Sequence, residues 1–220
     1  MLSSSQEFAQ YINSIEVDSA SILVRIDVDH FFMSGSPDQL GLYAGKLFED
    51  RTLRDLVTDV TVFLTFYQYV RSSVLPGRLW RTKRGSGMGL RCSGPICDAV
   101  FYTLVETWAV NPDVLSSHGI RSYKRFKDDI FLICQCTAGL RRWYAEFRRR
   151  AAAVFQTTVE QVSGGDRASV DMLQFTVTKN GNSLVVSLKA KQQEGPPLSS
   201  QSAHPPGVCM WPINFSKSLG

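Results

Sequence analysis

The chain has 220 residues, 44% of them hydrophobic and 20% charged, with a formal net charge of +4. That composition excludes a disordered or low-complexity chain, and the length suits one substantial domain. The mild basic excess admits a polyanionic partner without demanding one.

In chain order, the segment Ser5 to Ile15 reads as a short helix with Phe8, Ile12 and Ile15 on one side. The stretch SILVRIDVDHFF follows. Alternation there sets Ile22, Val24, Ile26 and Val28 on one face of a strand, with Leu23, Arg25, Asp27 and Asp29 on the other. Ser34 to Pro37 turns the chain. From Asp38 to about Ser72, apolar residues recur at helical spacing (Leu53, Leu56, Val57, Val60, Leu64, Tyr67, Val70), the pattern of one long helix packed on a sheet and ended by Pro76-Gly77.

The loop RLWRTKRGSGMGLRCSG is the most basic and glycine-rich in the chain, with glycine at 85, 87 and 89. A helix opens at Ser93-Gly94-Pro95 and stops at Asn111-Pro112. In RFKDDIFLIC, the apolar run Ile130 to Cys134 reads as a buried strand entered through the turn that holds Asp128 and Asp129. Thr137 reads as the cap of a helix to about Phe155, and Ser163 to Asp166 as a loop. Val170 to Thr178 and Leu184 to Lys189 form a hairpin about Asn180-Gly181. From Gly195 the tail is rich in Pro and Ser. The order implies an α+β fold, a small antiparallel sheet with helices packed on one face.

The five cysteines are odd in number and lack CxxC spacing, which indicates reduced, mostly packed thiols and neither a disulfide framework nor a zinc site. With no membrane-length apolar run and no secretory signal, a soluble intracellular protein is expected.

If the two strand ends lie side by side, Asp27, Asp128 and Asp129 cluster. Hard oxygen ligands of that kind suit magnesium, and two such ions serve nucleotidyl transfer. A glycine- and arginine-rich loop opening a helix beside them suits phosphate. The residues alone leave two readings open: a two-metal phosphoryl-transfer enzyme, or surface aspartates in polar turns of a structural α+β domain.

The same residues resemble a family. IDVDHFFMSG, GSGMGLRCSGPICDAVF, YKRFKDDIFLI and DMLQFTVTKNGNSL are similar, in that order, to blocks of the reverse transcriptase palm, most closely that of Penelope-like retroelements. LSSQSAHPP resembles a Ser-x-His-Pro element that follows them. The resemblance implies an RNA-directed DNA polymerase palm over residues 1–194, with 195–220 an irregular tail at the start of a missing thumb region. It implies that Asp27, Asp128 and Asp129, with the Val28 carbonyl, hold two Mg2+ ions, for which Mn2+ can substitute. Phe32, Met88, Gly89 and Ser93 would contact the nucleotide, Phe32 as a ring that excludes a ribose 2′-OH. Arg81, Lys83 and Arg84 would track nucleic acid. RNA template, DNA primer and dNTPs are the implied partners, with no membrane, and the nucleus is preferred to the cytoplasm.

The chain departs from the family pattern at several places. Gly94 and Pro95 shift the usual Ser-Pro by one, Arg91 and Cys92 replace Pro-Leu, Thr82 stands where glutamine is usual and Gln174 where Asp is. The Asp27 strand begins only at Ile22, which leaves no room for fingers, so a palm fragment is expected. The alternative is an inactive retroelement-derived remnant that keeps the fold and weak nucleic-acid binding. An RNA-directed RNA polymerase is disfavoured because Lys127, not glycine, precedes Asp128. Asp29 and His30 are expected in supporting or solvated roles, the arginines between 141 and 150 on a solvated face, and His118 and His204 in turns.

Overall fold

The computed structural model describes residues 2–71, 74, 76–87 and 90–189. Helix α1, Ser5–Asn13, is capped by the Ser4 hydroxyl and buries Phe8 and Ile12. Strand β1, Ile22–Asp29, leads into a single 3-10 turn at Phe31–Met33. The expected long helix is two helices, α2 (Pro37–Gly45) and α3 (Arg51–Phe66), each with its own cap: a capping box at Ser36/Gln39 and the Asp50 carboxylate. Gly41 and Gly45 let them pack closely, since a Cβ on Gly41 would meet Val62 at 2.6 Å.

Periodicity misled in a second way. Most of the apolar stripe of α3 faces solvent, with Leu56 at 56% exposure and the neighbouring Phe63 at 61%, while Val57 packs on the core and Thr61 and Thr65 are the helix's buried residues. Tyr69–Arg71 and Leu79–Arg81, read as helix and loop, are the strands β2 and β3 of a small hairpin, with Pro76-Gly77 in its turn.

Helix α4, Ser93–Phe101, runs on through a π-helical segment, Tyr102–Glu106, into α5, Thr107–Ala109. A short α6, Pro112–Ser117, starts at the proline expected to be only a stop. β4 (Ile120–Phe126) and β5 (Asp129–Cys134), the latter holding the buried run Ile130 to Cys134, form a hairpin about Lys127-Asp128. Helix α7, Thr137–Ala151, is capped by the Cys136 thiol, not by Thr137. It ends early because Gln156–Ser163 is β6, a strand absent from the sequence reading. The final hairpin is three strands, β7 (Ser169–Met172), β8 (Phe175–Asn180) and β9 (Ser183–Leu188), because Leu173 turns with φ 57°.

The central sheet has the order β4-β5-β1-β6, with every neighbouring pair antiparallel. One face, carrying Val24, Ile26, Val28, Ile130 and Leu132, is covered by α2, α4 and α7 through Leu40, Val100, Phe101, Trp143 and Phe147. Among the described residues, the other face carries an apolar cluster at one end. There α1 and the β7-β8-β9 sheet cover Leu23, Phe131 and Ile133 with Phe8, Ile12, Val170 and Met172. Beyond that apolar plug the face carries Arg25, Asp27 and Asp129. Among the described residues no helix is long and apolar enough to cross a membrane. The tail, and with it the Ser-x-His-Pro element and His204, lies outside the described residues.

Candidate active site

β1 and β5 are joined in a register that sets Ile26 opposite Ile130 and Asp27 opposite Asp129. Directly opposed residues project from the same face of a sheet. Asp128 occupies the β4–β5 turn, and its carbonyl accepts a hydrogen bond from the Val28 N–H at 2.9 Å. The tight turn is made by Lys127 in the left-handed region, φ 55°. Thus the backbone brings the Asp27 and Asp129 positions opposite each other and Asp128 beside Val28.

The electrostatics show what gathering them costs. Burial, and then Glu160, Asp128, Asp129 and Asp29, push the Asp27 carboxyl up to about 6. Asp128 is also raised, chiefly by burial. Asp129 instead has a cation: Arg25 Nε donates to it at 3.0 Å and Arg25 Nη2 lies at 2.8 Å. The same guanidinium reaches Glu160 at 3.1 Å.

Glu160 was missed in the sequence because β6 was missed. It sits at a break in register: Arg25 pairs with Gln161 but Ile26 with Val159, so Glu160 is the extra residue of a bulge. Among the described residues no three His, Cys, Asp or Glu side chains converge into a ready-made metal site. The donor chemistry fits a hard divalent cation; one oxygen of Asp129 is engaged by Arg25.

The glycine loop is stitched to the turn after β1. Gly85 N–H donates to the Gly35 carbonyl and Ser86 N–H to the Phe32 carbonyl, both at 2.8 Å. Gly85 has φ 79°, and a Cβ there would stand 2.5 Å from the Phe32 carbonyl oxygen. Gln68, a residue the sequence reading did not single out, is buried and donates to the Thr65 carbonyl at 3.0 Å and the Gly85 carbonyl at 3.3 Å. Ser93 is buried, and its hydroxyl donates to the Ser86 carbonyl at 2.6 Å and also to that of Gly87. Its hydroxyl is therefore engaged in holding the loop. Phe32 is half-buried, edge-on to Phe31 at 5.2 Å. Met88 and Gly89 lie outside the described residues.

Of the three basic loop residues, all exposed, Arg84 lines a polar cleft of about 400 Å³ with Asp29, His30 and Gln39. Arg81 stacks on Phe66 at 4.5 Å. Asp29 accepts from the Thr158 hydroxyl at 3.1 Å, and His30 is exposed. His118 is bonded locally through Nδ1 to the Val114 carbonyl oxygen at 2.8 Å. On α7, Arg149 and Arg150 pair with Glu146. Of the described cysteines, Cys97 and Cys134 are buried, Cys92 is half-buried and Cys136 is exposed.

No protein-family model and no curated protein sequence matches the chain. Solved structures do, among them two telomerases. An apo telomerase from Candida tropicalis, truncated from its C-terminal domain, superimposes with a TM-score of 0.57 at 14% identity over 84% of this chain. A telomerase from Candida albicans in complex with a fragment of telomeric RNA gives 0.59 at 15% identity over 83%. The chain spans only 40% and 35% of those proteins. At that identity the likeness is one of fold: the chain shares the α+β architecture of the matched part of these telomerases.

Proposed function

We propose that the chain is the palm of an RNA-directed DNA polymerase, joining dNTPs to a primer 3′-OH on an RNA template. The observation that carries this reading is the opposition of Asp27 and Asp129 across β1 and β5, with Asp128 tied to Val28 beside them. Two segments about a hundred positions apart bring their carboxylates to the same face of the sheet, beyond the apolar cluster of that face.

Asp27, Asp128 and Asp129, with the Val28 carbonyl, would hold two Mg2+ or Mn2+ ions. Bound there, the ions would ease deprotonation of the attacking hydroxyl and stabilise the leaving pyrophosphate. Phe32 would meet the nucleotide sugar, and its carbonyl accepts a hydrogen bond from the Ser86 N–H. Ser93 and Gln68 hold Gly85, Ser86 and Gly87, and Met88 and Gly89 would supply the remaining nucleotide contacts. Arg84, in the cleft beside Asp29, and the exposed Arg81 and Lys83 give phosphates a cationic border.

A second reading has its own observation. Arg25 occupies Asp129, which is what a catalytically inactive palm would tolerate. Primer extension on an RNA template with Mg2+, comparing the chain with Asp128→Ala, separates the two. Incorporation that disappears in the variant supports the polymerase. None by either protein, even at high concentration, favours the remnant, and retained RNA binding would then be its expected property.

A further inference from the structure

Behind the carboxylates, on the helix-covered side of the same turn, lies a second group of charges. Arg125 is only 1% exposed and donates from Nε and Nη2 to the two oxygens of Glu106, each at 2.9 Å. Its Nη1 donates to Asp98 at 2.9 Å and to the Lys127 carbonyl at 2.8 Å. The second oxygen of Asp98 accepts from the Lys127 ammonium at 2.5 Å. Asp98, on α4, therefore holds two cations of the β4–β5 hairpin at once.

Lys127 is the chain neighbour of Asp128 and stands in the very turn that presents the carboxylates. A lysine ammonium is a compact cation on a flexible four-carbon stem. Left to swing, it could settle on the oxygens that a divalent cation would use. Two features turn it the other way. Gly94 at the start of α4 leaves it room, since a Cβ there would come within 3.1 Å of Lys127 Nζ. The register also separates the two groups. Arg125 pairs with Ile130, on the face packed by helices, whereas Asp27 and Asp129 project from the opposite face. The other charged groups near these are Arg125 and Glu106 on the helix side and Arg25 and Glu160 on the open side.

We propose that Asp98 is a positioning residue that sequesters the Lys127 ammonium on the helix-covered face, leaving Asp128 and Asp129 to a divalent cation. This rests on the reading of those carboxylates as a cation site, and it adds a residue from a different element. It also explains how a lysine is accommodated in that turn.

The test uses the full chain, with Asp98→Asn and the double variant Asp98→Asn/Lys127→Met; the asparagine oxygen still accepts from Arg125. Zero-length carbodiimide coupling, read by mass spectrometry, reports where the ammonium rests. The parent should link Lys127 to Asp98, and Asp98→Asn should link it to Asp129 or Asp27. Mn2+ affinity, read from the electron paramagnetic resonance of the free ion, should fall about tenfold in Asp98→Asn and return to the parent value in the double variant. The proposal is overturned if Lys127 of Asp98→Asn couples to neither carboxylate, or if the double variant stays as weak as the single. If coupling moves as expected while no form of the chain binds Mn2+, sequestration stands and the cation-site reading fails.

Discussion

Arg25 Nη2 lies 2.8 Å from Asp129 Oδ1, a cation resting on the carboxylate that stands across the strands from Asp27. Both partners are largely shielded, at 20% and 16% side-chain exposure, so the contact is worth more than an exposed pair. Replacing Arg25 by Met should therefore lower stability in metal-free buffer by about 1–3 kcal/mol, because Asp129 and Glu160 lose their partner. The same change removes a competitor for Asp129, so added Mn2+ should recover more stability in the variant than in the parent. Urea unfolding of both proteins with and without Mn2+ checks the two signs together.

Asp27 carries the opposite burden. Its carboxyl is raised from 3.8 to about 6 by burial and by neighbouring carboxylates, so the folded chain holds that proton more tightly than the unfolded chain. Its contribution is fully present below about 4 and is lost as the pH rises through about 6. Asp27→Asn should then be more stable than the parent at pH 7.5 by about 1 kcal/mol after allowance for solvent screening. The two should converge near pH 4. Thermal unfolding across that range would show it, and equal stability at pH 7.5 would count against the crowding of carboxylates.

Glu106 lies in the π-helical segment and gives both oxygens to Arg125, which also stacks over the Phe101 ring at 4.9 Å. Removing one partner of a buried pair leaves the other without compensation. Glu106→Gln is expected to cost about 3 kcal/mol in denaturant unfolding, and Glu106→Gln/Arg125→Met less than the sum of the two single changes.

Gly85 couples the glycine loop to the turn that carries Phe32. Gly85→Ala faces both a φ of 79° and a carbonyl oxygen 2.5 Å from the new Cβ. A loss of about 1–3 kcal/mol is expected. If the chain polymerises, discrimination against ribonucleotides should weaken with it, as in Phe32→Val. Single-nucleotide incorporation with dNTP and rNTP measures that effect.

The exposed stripe of α3 gives a simple check on the fold. Phe63→Ser and Leu56→Ser should each change unfolding free energy by no more than about 0.5 kcal/mol, because neither side chain is in the core. A helix packed through that stripe would instead lose about 2–5 kcal/mol at each position.

The alternation in Ile22 to Asp29 and the apolar run Ile130 to Cys134 were enough to place two central strands and to put the aspartates at their ends. Short-range rules also located α1, the start of α4 and the Asn180-Gly181 hairpin. They failed where a pattern had two physical solutions. The stripe in Arg51–Phe66 is helical in period, but period does not say what the helix packs on, and glycines at 41 and 45 gave α3 a different neighbour. QTTVEQVS is too polar to look like a central-sheet strand, since one of its edges is open and its residues are mostly half-buried or exposed.

What the sequence determined by itself is the inventory of carboxylates and the strand ends that carry them, because side-chain alternation is a local property of the backbone. Which cation each acidic group meets was decided only by the fold. Arg25 reaches Asp129 from the adjoining strand, Glu160 arrives through a bulge in β6, and Lys127 is drawn to Asp98 on a helix 29 positions away. Those pairings join segments far apart in the chain. Their strength depends on distance and burial, and neither quantity exists until the sheet and its helices have packed.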